Sequence, residues 1–284
     1  MHEDDDSALV YCQSELQRHD HERYLTTLFA PAGLRPALLA LYAFNLEIAR
    51  TAEAVSEPTL GMIRLQWWRD AVDEIYNGTP RRHQVVDLMA ETLPAGGLTA
   101  RTLFALIDAR ERDLDPSPFA DAAALTDYIG TTAGALQGAA LELLAPRADD
   151  ATRAATQATA IAYGLAGLLR AVPFHARRSR LYLPQSLLRT AGLRADRIRP
   201  ERAAPELSSV VQPLVGRAEA ELADARKEMP KPGPALPALL PGTIAGHHLR
   251  RLRRCGFDPY ALPPDGGRLA LTVKLCAYAW RGRF

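Results

Sequence analysis

Apolar positions recur at three- and four-residue intervals along almost the whole chain, and this spacing predicts helix after helix. Residues 7–19 form the first such run, followed by a short segment over 20–29. Pro31 and Pro36 flank the start of a longer helix, 34–55, with Leu38, Leu41, Tyr42, Ile48 and Ala52 as its inward stripe. Ser56-Glu57-Pro58 breaks the pattern. It resumes over 59–77, where Met62, Leu65, Trp68, Val72 and Ile75 form the apolar side and Gly78 the cap. A short helix is expected at 85–92, and another at 99–114 whose end, DARERDLD, reads as a solvated terminus rather than a metal cluster. Residues 121–144 are long and rich in small side chains (Gly130, Ala133, Gly134, Gly138), which implies tight contact with another helix.

The most informative stretch is 158–184, ATAIAYGLAGLLRAVPFHARRSRLYLP. Ile161, Gly164, Leu165, Leu168, Leu169 and Val172 keep helical spacing, so a helix over 152–172 is expected. Pro173 lacks the amide hydrogen that an interior turn needs, and the helix should kink or stop just before it. A basic loop with His175, Arg177, Arg178 and Arg180 follows. One helix face carries Ala160, Gly164, Gly167 and Ala171, with His175 next at that spacing. Each interior glycine costs roughly 1 kcal/mol against alanine, so the pair implies close approach by another helix or by a ligand.

Beyond that stretch, 185–191 and 208–228 read as helices around a polar segment, 194–205. Five prolines over 229–241 predict a rigid, irregular connector, the one weak candidate boundary in a single domain spanning 1–284. Helices over 243–255 and 268–280, joined by a turn at 256–264, complete an all-α chain with neither strand alternation nor a fixed repeat.

Composition narrows the function classes. No run of about 18 uncharged apolar residues occurs, so no transmembrane helix is expected. The start, MHEDDDSALVYCQSELQ, is acidic, unlike a secretory signal or an Arg-rich transit peptide. A cytoplasmic location, peripheral at the inner membrane face, is expected. Cys12, Cys255 and Cys276 show no CxxC spacing and read as free thiols in a reducing compartment. Net charge is only +1, but residues 1–142 hold 22 Asp and Glu against 11 Arg, whereas 143–284 hold 11 against 23 Lys and Arg. The halves could pair with each other or show opposite faces to partners. A nucleic-acid partner is not expected, because no basic stripe is interleaved with aromatics. His247-His248 and the arginines after them read as a solvated basic helix face, with a membrane surface or an acidic partner for Arg250, Arg251, Arg253 and Arg254 as the sharper option.

Gly164…Arg170 followed by Arg180-Leu181-Tyr182-Leu183-Pro184 resembles the second signature region of the squalene/phytoene synthase family. Those all-α prenyltransferases condense two prenyl diphosphates head to head. The resemblance extends from about residue 8 to Phe284 and implies an isoprenoid (terpenoid) synthase-like helical bundle around a central cavity. In the enzymes, carboxylates on two facing helices hold magnesium ions that neutralise the leaving diphosphate. Here the first motif, after Tyr42-Ala43-Phe44, has Ala49, Arg50 and Glu53; the second has Gly167, Ala171 and His175. One acid remains. Metal-dependent condensation is therefore not expected, and no metal site or cofactor is assigned; Arg50, Glu53 and His175 read either as ion pairs and hydrogen bonds replacing the site or as a reworked site.

Three passages (AFNLEIARTAEAVSEPTLGMIRLQWWRDAVDEIYNG, LIDARERDLD and LLRAVPFHARRSRLYLP) are similar to the family branch that includes a mitochondrial respiratory complex I assembly factor. That likeness implies an assembly or scaffold role, with a complex I subunit or assembly intermediate as client and a prenyl or lipid chain in the apolar cavity. The alternative is a prenyl diphosphate transferase that grips diphosphate through Arg50, Arg170, Arg177, Arg178 and Arg180, with Tyr182 near the reacting carbons and magnesium as cofactor. The cavity is expected between helices 34–55, 59–77, 121–144 and 152–172, its upper end lined by Asn45, Arg50, Glu53, Tyr163, Gly167, Arg170, His175 and Tyr182.

Overall fold

A computed structural model describes residues 2–178, 180–199, 202–229, 231–263 and 268–284. The fold is all-α, and the chain divides into two compact units. The first comprises Met1–Asp115, Ala135–Arg153 and Gly233–Ala238; the second comprises Pro116–Gly134, Ala154–Pro232 and Leu239–Phe284.

Helices of the first unit open the chain: α1 (His2–His19), α2 (His21–Thr27), α3 (Arg35–Ala49), α4 (Thr51–Ala54), α5 (Pro58–Tyr76), α6 (Gln84–Thr92) and α7 (Ala100–Ala109). The expected helix 34–55 is thus two, with Arg50 (φ −84°, ψ −6°) as a turn residue between α3 and α4. α3 is apolar on every side and is buried from Ala37 to Leu46 and again at Ile48, between α1 and α6. Phe44 meets the indole of Trp68 edge-on, with ring centroids 5.5 Å apart.

Two expectations for this unit need correction. Met62 is 41% exposed, and the inward stripe of α5 runs instead through Gly61, Leu65, Trp68, Val72 and Ile75. A Cβ on Gly61 would lie 2.3 Å from Leu114 Cδ2, so glycine here lets the end of the α7 segment approach. That end, a 3₁₀ turn over Arg110–Leu114, is a solvated terminus only in part: Asp108, Glu111 and Asp115 are exposed, but Asp113 is buried and ion-paired with Arg110 at 3.3 Å.

The expected helix 121–144 is α8 (Ala122–Ile129), a π turn (Gly130–Gly134) and α9 (Ala135–Leu144). The amide of Gln157 fills the space beside the glycines of that turn and donates to the Gly130 carbonyl at 3.4 Å. α9 belongs to the first unit, where Gln137 donates to the Tyr42 hydroxyl at 3.3 Å and to the Ala238 carbonyl at 2.8 Å.

The second unit is built on α10 (Asp150–Arg170), α11 (Val172–Arg177), α12 (Gln185–Thr190), α13 (Leu207–Glu228), α14 (Leu236–Leu239), α15 (Pro241–Arg254) and α16 (Arg268–Trp280), with α10 and α14 each beginning in the first unit. Its core joins Leu165 and Leu169 of α10, Val210, Val211, Leu214 and Val215 of α13, and Ala245, Leu249 and Leu252 of α15. The proline-rich connector is more regular than expected: a 3₁₀ turn over Gly233–Ala235, then α14, with Pro241 in the first turn of α15. Pro230 lies outside the described residues, as do Pro200, Glu201 and the end of the 256–264 turn at Pro264.

Candidate functional site

The first signature segment lies at the α3–α4 corner. Ala49 is half-buried, whereas Arg50 and Glu53 are exposed. Arg50 reaches Glu15 of α1 at 4.0 Å, and Glu47 pairs with Arg64 of α5 at 3.3 Å. Asn45, expected on a cavity wall, is buried and accepts from Arg110 at 3.0 Å, so the Arg110–Asp113 pair ties it into the first unit. Charge survives here as ion pairs within the chain.

The second segment behaves differently. α10 ends at Arg170, Ala171 leaves the helix (φ −86°, ψ 3°), and Pro173 sits in the first turn of α11. The kink is where the sequence places it, but 172–177 is a helix rather than a loop. The two interior glycines separate: a Cβ on Gly164 would fall 2.3 Å from Ile129 Cγ2, while one on Gly167 would meet no described atom within 4 Å. Helix packing accounts for Gly164. Gly167 faces open space.

His175, on α11, turns its ring to Tyr182 at a centroid distance of 4.7 Å. Tyr182 in turn leans on Phe119 and Tyr128, 6.2 and 6.1 Å away. The His175 carbonyl accepts from the amides of Arg178 and Arg180 (2.9 and 3.0 Å), which folds the basic turn back on α11. RLYLP then continues into α12, whose first amides, Gln185 and Ser186, donate to the carbonyls of Phe119 and Ala120. These contacts leave a narrow apolar cleft with room for about one water molecule, lined by Leu125, Leu165, Leu168, Leu169, Val172, His175, Leu181, Tyr182 and Leu183. Of the expected lining residues, His175 and Tyr182 face this cleft and half-buried Tyr163 packs against the same core. Arg177 and Arg178 are exposed, and the Arg178 guanidinium lies 4.0 Å from the Phe174 ring centroid.

Arg170 is held by a residue that the sequence reading placed on a solvated face. His248 of α15 is buried, and Arg170 Nη1 donates to its Nε2 at 2.8 Å. A guanidinium has no acceptor, so the imidazole supplies the lone pair and its other nitrogen carries the hydrogen. The signal was present: Ile244, Ala245, His248, Leu249 and Leu252 share one helical stripe, and all are buried. The remainder of the basic helix divides. Arg251 donates to the Pro263 carbonyl at 2.7 Å, Arg253 pairs with Glu219, and Arg250 and Arg254 are exposed.

The donor set does not fit the magnesium cluster of the family's enzymes. A hard divalent ion takes six or more oxygens, and clustered ions need several shared carboxylates. The first segment offers Ala49, Arg50 and Glu53; the second offers Gly167, Ala171 and the His175 imidazole, tilted against the Tyr182 ring. Within neither unit do three or more His, Cys, Asp or Glu among the described residues gather to share an ion.

Known proteins resemble the chain over most of its length. It is 30% identical over 276 residues to "NADH dehydrogenase (ubiquinone) complex I, assembly factor 6" of Mus musculus, covering 97% of this chain and 83% of that protein. It is 31% identical to the presqualene diphosphate synthase of Rhodopseudomonas palustris over 261 residues, 90% of this chain and 92% of the relative. Among solved structures, a dehydrosqualene synthase with a bound ligand superposes with a TM-score of 0.82 at 17% identity, over 98% of this chain and 99% of that one. The squalene synthase of Alicyclobacillus acidocaldarius gives 0.76 at 22% identity, over 89% and 95%. These likenesses show an isoprenoid synthase-like all-α fold. Residues 16–274 match the squalene/phytoene synthase family model, and the chain belongs to that family.

Proposed function

We propose that this protein is an assembly or scaffold factor of the respiratory complex I type, using a squalene/phytoene synthase fold without head-to-head prenyl condensation. One observation carries the reading: positions that bear carboxylates in the enzymes hold Ala49, Arg50 and Glu53 in one unit and Gly167, Ala171 and His175 in the other. A departing diphosphate there would meet no magnesium cluster to neutralise it. The likeness to complex I assembly factor 6 over 97% of the chain supports the same conclusion. The client is a complex I subunit or assembly intermediate. A prenyl or lipid chain as ligand, held by apolar side chains such as those beside Tyr182, and contact with a membrane face through the exposed Arg250 and Arg254 of α15 complete the reading. No described helix is long and apolar enough to cross a membrane.

A second reading rests on the presqualene diphosphate synthase relative: a transferase binding diphosphate through Arg50, Arg170, Arg177, Arg178 and Arg180. One assay separates the two. Purified protein is incubated with farnesyl or geranylgeranyl diphosphate and magnesium, and pyrophosphate and C30 or C40 products are measured. No turnover above the blank is expected. Sustained pyrophosphate release with product would overturn the scaffold reading in favour of the second.

A further inference from the structure

α16 is apolar apart from Arg268, Thr272 and Lys274, and one of its apolar sides is left uncovered. Leu271 and Leu275 are buried on the side facing the rest of the second unit, where α15 packs. The opposite side carries Leu269, Val273, Cys276 and Trp280, spaced four, three and four residues apart and therefore on one face. Leu269 is 77% exposed, Val273 60% and Trp280 87%, and Cys276 is also exposed. The face runs about 16 Å along the helix at 1.5 Å per residue. A contiguous exposed strip of large apolar side chains marks an interaction surface, so this face calls for an occupant.

Charge selects among occupants. From Pro241 to Phe284 the sequence holds eight Lys and Arg against two Asp and no Glu. On α16 the one charged residue with a described side chain, Lys274, lies over the Tyr278 ring at 5.6 Å; exposed Arg281 and Arg283 follow the helix. α15, packed alongside, exposes Arg250 and Arg254, which make no ion pair among the described residues. A second copy docking by the same face would bring two such arrays together, and like charges repel. An apolar strip with a tryptophan at one end and cations along its border has the makeup of an interfacial helix, which buries its apolar side at the headgroup boundary of an anionic bilayer.

We propose that the Leu269–Val273–Cys276–Trp280 face of α16, bordered by Lys274, Arg281, Arg283, Arg250 and Arg254, seats the protein on an anionic lipid surface. This deepens the membrane-face part of the reading above. Its test involves no prenyl substrate, so either can fail without the other.

The full-length protein is mixed with phosphatidylcholine vesicles with and without phosphatidylglycerol, and binding is read by co-sedimentation and tryptophan emission. Trp67 is half-buried and Trp68 buried, so insertion of Trp280 appears as a blue shift on adding anionic vesicles. Trp280→Phe should keep the binding and lose the shift. Val273→Asp should weaken partitioning about tenfold or more, and raising salt to about 0.5 M should weaken it as well. Val273 is exposed, so an unchanged near-ultraviolet circular dichroism spectrum verifies that the variant is folded. No partitioning into anionic vesicles, or full partitioning by folded Val273→Asp, would overturn the proposal. So would a concentration-dependent dimer that Val273→Asp abolishes while vesicles are ignored, which would assign the face to a second copy.

Discussion

Arg50 and Arg170 occupy comparable places at the ends of the two signature helices, α3 and α10, yet the structure uses them in different ways. Arg50 is 45% exposed and meets Glu15 only at 4.0 Å, beyond hydrogen-bond range. Arg170 is half-buried, closes the last turn of α10, and donates to buried His248 at 2.8 Å. A cation at a helix C-terminus also complements the partial charge of its carbonyls. The lesson is that a charge in a degenerate motif can be a replaceable surface group or a structural tie. Burial and hydrogen-bond geometry decide which; motif position does not.

The contrast can be broken most severely by displacing α10. Gly164→Val would drive a side chain into Ile129, whose Cγ2 sits on a β-branched carbon and cannot swing away as the end of a leucine could. A loss of about 3 kcal/mol, at the upper end for overpacking, is expected in urea unfolding. Gly167→Ala, one turn on, should instead stabilise by up to about 1 kcal/mol, because it meets only open space. Equal effects at the two glycines would show that α10 packs otherwise.

Removing the tie itself ranks next. His248→Leu deletes the acceptor for Arg170 and should cost about 1.5–3 kcal/mol, the range for a hydrogen bond to a charged group. His248→Gln retains an acceptor and should recover part of that loss. A neutral His248→Leu would reduce Arg170 to the standing of Arg50.

His83 extends the contrast to the first unit by a titration. Its Nδ1 caps α6 by accepting from the Val85 amide at 3.2 Å, and its ring meets Trp67 and Trp68 edge-on. Burial there holds the imidazole below its ordinary pKa, while Glu47 and Asp87 pull the other way. The folded protein thus prefers neutral His83. Its stabilising contribution is full above the unfolded value of about 6.5 and is lost as pH falls through the lower folded value. Urea midpoints measured between pH 8 and pH 5 should fall, and His83→Asn, which can still cap, should flatten the His83 part of that slope.

Much of the fold was legible because helical periodicity and proline punctuation are local signals. The break before Pro173, the cap at Gly78 (φ +78°) and the bounds of α13 follow from them. What a sequence does not state is which side of a helix finds cover. Met62 reads as core beside Leu65 but lies on the exposed side of α5, and Leu269 and Val273 read as part of one more helix with no hint that their side is left open. His248 shows the reverse error: a run of arginines suggested solvent, while the stripe beneath it turned the imidazole inward. At the signature segments the missing acids were plain from the residues. Their replacements were not, since the partners of Asn45 and Arg170 lie 65 and 78 positions away.

The smallest effect falls on Arg50 and is the finest test of the comparison. Arg50→Ala removes one long exposed side chain and one ion pair at 4.0 Å, with solvent screening both charges. Exposed pairs contribute about 0.2–1 kcal/mol, and an alanine at this helix break replaces a flexible side chain whose ordering opposes the pairing. A shift below about 0.5 kcal/mol is therefore expected, shrinking further at high salt. Arg170→Ala in the same buffer should remain costly, since its bond to His248 is short and shielded from solvent. Comparable losses that both vanish in salt would mean that the two arginines act alike through long-range charge, and the distinction drawn between them would fall.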